Sequence, residues 1–154
     1  MSDTGKRALG LSLVLTLFVF TGIGAERLAK STDASRGEAI VSHIAILRAG
    51  KPQEKAAAAY WLGQQHGAAA DAVTPLVELL GDVTQVNPAQ YRASRVLQKM
   101  TLGEEAAAAL VNIGHPSIEP LIRVLKTSPM PEARKNAAWA LGALHETGAT
   151  SAEI

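Results

Sequence analysis

The chain has 154 residues, enough for one modest domain, and a formal net charge of +1. It contains no cysteine, which excludes disulfides, thiolate nucleophiles and cysteine metal sites. Hydrophobic residues make up 47% of the chain and aromatic residues only 4%, so a core must be built from Ala, Leu, Val and Ile. Alanine and leucine favour helix, and strand-like alternation is nearly absent, so the composition predicts an all-α fold.

An uncharged apolar segment spans residues 8–25, directly after Lys6 and Arg7. As a helix it would be about 27 Å long, just short of the hydrocarbon core of a membrane. Its basic start, apolar centre and small-residue end also fit a cleavable signal peptide. We expect residues 1–25 to be a signal peptide or a retained transmembrane anchor. The positive charges predict that the chain after Ala25 lies outside the cytoplasm, either on the inner membrane or periplasmic or secreted after cleavage.

The next stretch, residues 26–35, is polar and is predicted to be a linker or a frayed helix start. After residues 1–25 the chain carries equal numbers of acidic and basic residues. Nucleic-acid binders normally show a basic excess, so we expect no nucleic-acid partner. Residues 36–49 place Ile40, Ile44 and Leu47 on one stripe, which predicts an N-terminal capping helix.

Three alanine-rich stretches each end in an aliphatic residue followed by glycine: KAAAAYWLG (55–63), AAAALVNIG (106–114) and RKNAAWALG (134–142). Glycine adopts positive φ at little cost, so Gly63, Gly114 and Gly142 are predicted to end helices.

Two of these stretches lead into a second helical unit, DAVTPLVELL (71–80) and SIEPLIRVL (117–125). Pro75 and Pro120 lie in the predicted first turn, where a missing amide proton costs little. Asp71 and Ser117 are the predicted N-caps. Apolar residues recur behind them at helical spacing, so the repeating unit is predicted to be a pair of antiparallel helices.

These units resemble the HEAT-like repeats of bacterial proteins, including the type named after phycobilisome lyases. The resemblance covers about residues 36–150 and is strongest in EEAAAALVNIGHPSIEPLIRVLK and ARKNAAWALGAL. It implies a short right-handed α-solenoid of antiparallel helix pairs, with residues 151–154 as a tail and the apolar N-terminal helix in front. The predicted helices lie near 36–49, 52–65, 70–81, 88–100, 103–113, 117–127 and 131–146.

The spacing between Pro75 and Pro120 is longer than in the compact bacterial repeat, and we assign the surplus to an extra helix over Pro88–Met100. Thr101 begins the next helix, because it and Glu104 have the spacing of a capping box.

Aligning Gly63 with Gly142 superposes Tyr60 on Trp139, which favours core packing for both rings. In this register the sequence stops where the second helix of the last repeat would begin. Repeat arrays normally close with a polar capping element, so the last helix is predicted to have an unfinished side. Three explanations are open: Trp139 and Leu144 fold back on the preceding pair, a partner or second copy covers that end, or the sequence is truncated.

The four histidines lack the close spacing of a helical zinc motif, and His66 and His145 are predicted to follow helix ends. Glu104 and Glu105 open a helix, where negative charge is favourable, and are predicted to be caps rather than a catalytic pair. We therefore expect no catalytic residue, no metal site and no cofactor.

Candidate partner-binding residues come from the aromatics and the second helices. Trp61 is adjacent to Tyr60, so the two rings point in different directions and one is free for a contact. Glu78, Arg123 and Lys126 lie off the apolar stripe, on the helix that the resemblance places along the concave surface. Trp139 joins them as a candidate at the unfinished end.

Three functions remain open on the sequence. The first is a non-enzymatic protein–protein interaction scaffold outside the cytoplasm, tethered or secreted. The second is a structural subunit of a membrane protein complex, held in the membrane through residues 8–25. The third, implied by the resemblance alone, is a bilin lyase-like enzyme or chaperone.

Overall fold

A computed structural model describes residues 32–92 and 99–148. The chain divides into two compact units, Met1–Ala39 and Ile40–Ile154. In the first unit, residues 32–39 are helical, and Arg36 forms an exposed ion pair with Asp33 at 3.6 Å. The predicted signal peptide or anchor at 1–25 and most of the predicted linker lie outside the described residues.

The second unit is built from helices. They are α1 (40–49), α2 (Pro52–Gly63), α3 (Val73–Glu78), α4 (Leu102–Ile113), α5 (Ile118–Thr127) and α6 (Pro131–Glu146). Short 3₁₀ helices lie at His66–Ala72, Pro88–Gln90 and His115–Ser117. Two short antiparallel strands, β1 (Gln85–Val86) and β2 (Met100–Thr101), pair between α3 and α4.

The helices stack in two rows. In one row α4 packs between α2 and α6, while α3 and α5 contact each other in the second row. The second helix of each predicted pair packs mainly against the first helix of the following repeat, α3 on α4 and α5 on α6. It reaches the first helix of its own repeat through the preceding 3₁₀ turn. This arrangement confirms the predicted all-α solenoid.

The core consists mainly of alanine and leucine, as the composition predicted. Its largest fully buried apolar side chains are Leu47, Leu62, Leu76, Leu80, Leu102, Leu110, Leu121 and Leu144. Alanines at the helix contacts let the backbones approach closely. At two positions glycine allows an even closer approach. A Cβ on Gly63 would lie 3.0 Å from Cα of Ala109, and one on Gly103 would lie 2.5 Å from the carbonyl oxygen of Leu80.

Several predicted helix signals are confirmed. The side chain of Thr101 accepts a hydrogen bond from the amide of Glu104 at 3.2 Å, and the carboxylate of Glu104 accepts one from the amide of Thr101 at 2.8 Å. Gly114 follows α4 with φ of +87° and donates its amide to the carbonyl of Leu110. Pro75 and Pro120 lie in the first turns of α3 and α5.

Other signals were wrong. Gly63 does end α2 as predicted, but without positive φ, whereas Gly142 lies inside α6, which ends before Gly148 at φ of +75°. Asp71 is not an N-cap, because the chain is already turning through a 3₁₀ helix when α3 begins after Ala72. Ser117 occupies the N-cap position of α5, but its side chain makes no capping hydrogen bond.

The extra helix predicted over Pro88–Met100 is also wrong at both ends, and residues 93–98 lie outside the described part. Only Pro88–Gln90 forms a 3₁₀ turn, and Met100 belongs to β2. Tertiary contacts hold this segment: Gln53 on α2 donates to the carbonyl of Asn87 at 2.8 Å and accepts from its amide at 3.0 Å. These hydrogen bonds favour the observed non-helical backbone over the helix that the sequence pattern predicts.

Candidate protein-binding site on helix α6

A pocket of about 580 Å³ opens between α4 and α6. Lys99 and the β2 residue Met100 border it on one side, and Glu104 and Ala108 line it from α4. Helix α6 contributes residues from its middle turns. The full lining consists of Arg92, Lys99, Met100, Glu104, Ala108, Lys135, Asn136 and Trp139. The pocket therefore combines apolar and aromatic surface with several cationic side chains.

Helix α6 begins at Pro131, where the missing amide proton costs nothing, and its inner face is anchored by polar bonds. The buried side-chain amide of Asn136 donates to the carbonyl of Leu80 at 2.8 Å. Arg134 donates to the carbonyl of Ser128 at 2.8 Å. Together with the fully buried Leu144, these bonds fix which face of α6 points outward.

The outward face of α6 is a continuous exposed stripe at helical spacing. Its members, hereafter the α6 stripe, are Lys135, Ala138, Trp139, Gly142 and Glu146. Trp139 is 55% exposed, and a Cβ on Gly142 would meet no atom within 4 Å. A large ring therefore stands beside open space on a helix face made otherwise of small and charged residues.

In helix α2 the positions that align with part of the α6 stripe are covered by another helix. Pro52 and Pro131 both begin their helices, and the register that aligns them also aligns Gly63 with Gly142. In α2, Ala59 and Gly63 are buried, with α4 packed against the helix. The equivalent positions in α6, Ala138 and Gly142, are exposed. The α6 stripe thus repeats a helix-accepting surface that lacks a helix among the described residues.

Charges around the pocket are arranged locally. The ammonium of Lys135 pairs with the carboxylate of Glu132 at 2.5 Å on the same helix, and this bond raises the pKa of Lys135. Both side chains are about half exposed, so the pair contributes little to stability. Glu104 is occupied as the cap of α4, which leaves the pocket rim predominantly cationic.

Beside the pocket lies a buried ionic cluster. Arg92 donates to both carboxylate oxygens of Glu105 at 2.7 Å, and the hydroxyl of Tyr91 donates to the same carboxylate at 2.7 Å. Glu105 is 1% exposed, and the guanidinium of Arg92 also lies 5.0 Å from the ring centre of Tyr60. Burial, followed by the bond to Glu105, raises the pKa of Tyr91. This cluster ties the segment after β1 to α2 and α4.

The cluster corrects one prediction and exposes what the sequence pattern missed. Glu105 was predicted to be a cap, but it is a buried partner of Arg92 and Tyr91, and only Glu104 caps α4. The sequence contains only a slight indication that Glu105 is buried, namely that it lies next to a run of alanines on the buried side of the helix. Arg92 and Lys99 were not predicted as site residues, because they lie within the segment 88–100 that the pattern assigned to a helix.

The predicted contact residues do not form one surface. Trp61 is partly buried against the core, and its ring stacks on His43 at 4.0 Å, so a contact role for it stays a prediction. Glu78, Arg123 and Lys126 are exposed on α3 and α5, away from the pocket lining.

Trp139 alone of the five predicted residues lines the pocket. Its predicted core packing is wrong, because the aligned Tyr60 has the ring of Tyr91 5.8 Å away, whereas Trp139 is more than half exposed. Leu144 does fold back into the core, as one explanation of the unfinished end required.

The histidines take separate positions. His66 follows α2 with φ of +51°, and its Nδ1 lies 3.0 Å from the carbonyl oxygen of Asn112. His145 lies in the last turn of α6 rather than after it. Within residues 32–92 and 99–148, no three His, Asp or Glu side chains group as metal ligands.

Comparison with known proteins agrees with the stacked helices. The family model described as the PBS lyase HEAT-like repeat matches residues 103–127, which cover α4, the 3₁₀ turn and α5. Residues 103–127 are a HEAT-like repeat. Such repeats mediate protein–protein interaction, which makes an interaction scaffold the general function of this fold. No curated protein and no solved structure matches the chain.

The HEAT-like repeat places α4 and α5 at the centre of the array, with α6 packed on both. Of the helices in the described ranges, none is both long enough and apolar enough to span a membrane. The apolar segment 8–25 lies outside those ranges.

Proposed function

We propose that this protein is a non-enzymatic scaffold that holds another protein outside the cytoplasm, and that the α6 stripe with its adjoining pocket is the contact surface. The single observation that carries this proposal is the exposure of Trp139 beside Gly142 on a face whose counterpart in α2 is covered. Tryptophan is enriched among residues that dominate binding energy, especially where a ring can enter a cleft.

The charge pattern at the start of the sequence supports the proposed location. Lys6 and Arg7 precede the uncharged segment 8–25, and basic residues of this kind are retained on the cytoplasmic side. The absence of cysteine means that the fold relies on packing alone, which the buried alanine and leucine core provides. The domain is then either tethered by residues 8–25 or released after cleavage.

A structural role in a membrane complex is the variant of this proposal in which residues 8–25 are retained. Intact-mass analysis of the chain purified from native membranes separates the two forms. A mass that begins at Met1 supports the retained anchor, and one that begins near Glu26 supports the released domain. Protease digestion of spheroplasts then tests the side of the membrane for the retained form, because a protected domain would contradict an extracytoplasmic position.

The family description names a lyase, and it motivates the second candidate, a bilin lyase-like enzyme or chaperone. A pocket of about 580 Å³ with a cationic rim and a tryptophan wall is large enough for part of such a ligand. Incubation of the purified chain with free bilins, followed by gel filtration and absorbance, tests this candidate. A colourless protein fraction would remove it.

The scaffold proposal is tested by affinity purification of the full chain and its Trp139→Ala variant. We expect the variant to lose co-purifying protein while its melting temperature changes little, because exposed side chains contribute within about 0.5 kcal/mol to stability. Leu125→Ala, at an exposed apolar residue on α5, is the matched control and should retain the partner. Equal recovery from both variants would remove α6 as the contact surface.

A further inference from the structure

We propose that the occupant of the α6 stripe is the α6 stripe of a second copy of this chain, packed antiparallel in a symmetric dimer. This inference rests on the proposed function and names the partner. In a two-fold interface the same patch serves both subunits and must be complementary to itself. The α6 stripe meets that condition in both shape and charge.

The shape condition concerns Trp139 and Gly142. These two residues lie three positions apart on one face, the first a large exposed ring and the second an open gap. In an antiparallel pair, the ring of Trp139 on each copy can sit over Gly142 of the other. Two equal contacts then form about one axis, and each fills the space that a side chain at position 142 would otherwise occupy.

The charge condition follows from the same register without further adjustment. Lys135 precedes Trp139 by four residues, and Glu146 follows Gly142 by four residues. One helical turn is close to four residues, so both charges remain on the exposed face. When Trp139 lies over Gly142 of the second copy, Lys135 lies opposite Glu146 of that copy. Two ion pairs therefore form, one at each end of the interface, each between Lys135 of one copy and Glu146 of the other.

The same lysine disfavours an alternative occupant. In α2 the position aligned with Lys135 is Ala56, which is fully buried. A further array helix packed on α6 as α4 packs on α2 would bring its surface onto the ammonium of Lys135. Removing the Lys135–Glu132 ion pair from water carries a large desolvation cost, whereas the antiparallel copy adds a second carboxylate, that of Glu146. The stripe is thus suited to a second α6 rather than to another repeat.

One helix pair gives a small interface, at the low end of the range for specific complexes. We expect a dissociation constant on the order of micromolar, weakened by salt because the ion pairs are near the rim. Detection by cross-linking is favourable, since the chain has no cysteine of its own.

The test is disulfide cross-linking of the full chain carrying both Lys135→Cys and Glu146→Cys. In the antiparallel register each new cysteine faces its counterpart on the other copy, and a covalent dimer is expected under mild oxidation. Each single variant is a control, because two copies of the same position would then be about 16 Å apart along the helix, too far for a disulfide. Adding Gly142→Gln to the double variant should abolish the dimer while leaving the circular dichroism spectrum and melting temperature intact.

Three outcomes would overturn the dimer: no cross-link in the folded double variant, equal cross-linking of the single variants, or cross-linking that survives Gly142→Gln. If the chain is monomeric but Trp139→Ala still loses a different co-purifying protein, the scaffold stands and only the identity of its partner is wrong. If neither association depends on α6, both proposals fail.

Discussion

Alanine substitutions at Gly63 and Gly142 test the idea that α2 and α6 carry one helix-accepting surface in two states, covered and open. The two glycines align in the same motif and both lie in helices. At Gly63 an added Cβ would lie 3.0 Å from Cα of Ala109 and 3.4 Å from its Cβ. At Gly142 it would meet nothing within 4 Å. The same mutation is therefore placed in one packed and one open environment, at the end of α2 and inside α6 respectively.

The expected effects have opposite signs. Alanine is favoured over glycine inside a helix by about 0.5–1 kcal/mol, so Gly142→Ala should raise the free energy of unfolding by about that amount. Gly63 is the last residue of α2, where this gain is smaller. Its Cβ would push against the backbone of α4, and overpacking of this kind costs about 1–3 kcal/mol. We expect Gly63→Ala to lower the free energy of unfolding by about 1–2 kcal/mol.

The measurement is urea denaturation of the full chain and both variants, followed by far-ultraviolet circular dichroism. Protein concentrations well below the expected dissociation constant keep association out of the comparison. A pair of equal stabilisations would show that α4 does not approach α2 closely at Gly63. A destabilised Gly142→Ala variant would show that the α6 face is covered within the monomer, and the proposed open surface would then be wrong.

The remaining predictions concern the core and the ionic cluster. Leu121→Asp should unfold the domain, since Leu121 is fully buried, whereas Leu125→Asp on the same helix should fold because Leu125 is 39% exposed; thermal melts followed by circular dichroism separate them. Glu105→Ala should lower the free energy of unfolding by about 3 kcal/mol in urea titrations, because it leaves a partly buried guanidinium unpaired, and a loss below about 1 kcal/mol would contradict the buried cluster. The raised pKa of Tyr91 means that the unfolded chain loses this proton first as pH rises, so stability should fall above about pH 10. Tyr91→Phe should show a smaller fall between pH 9 and 11 in the same titrations, and an unchanged slope would contradict the assignment.

Local signals predicted local structure well in this chain. The capping box of Thr101 and Glu104 and the positive φ of Gly114 depend on only a few neighbouring residues, and both were readable. Pro120 likewise fixed the first turn of α5. The all-α solenoid followed from repetition of such signals, together with a composition that leaves few residues able to build anything except helices.

Contacts between distant residues decided what the pattern could not. Gly63 and Gly142 both follow a leucine in an alanine-rich stretch, yet one is pressed against Ala109 and the other is open. The segment after Pro88 reads as a helix, but bonds from Gln53 and an ion pair with Glu105 hold part of it in another conformation. The pocket could not be predicted for the same reason, because its lining residues come from elements that are far apart in the sequence.

Trp139 shows why alignment within a repeat protein predicts position better than burial. Its counterpart Tyr60 is partly shielded because Tyr91 and Arg92 lie against it, and these residues belong to the segment between α3 and α4. No described residue plays that part for Trp139. Equivalent positions in a stack are buried only when a next layer follows, so the exposed aromatic on α6 marks a face that no described layer covers. Lys135, in place of the buried Ala56, then restricts what can pack on that face, since a partner with a carboxylate adds to the Lys135–Glu132 pair and one with only alanine removes that pair from water.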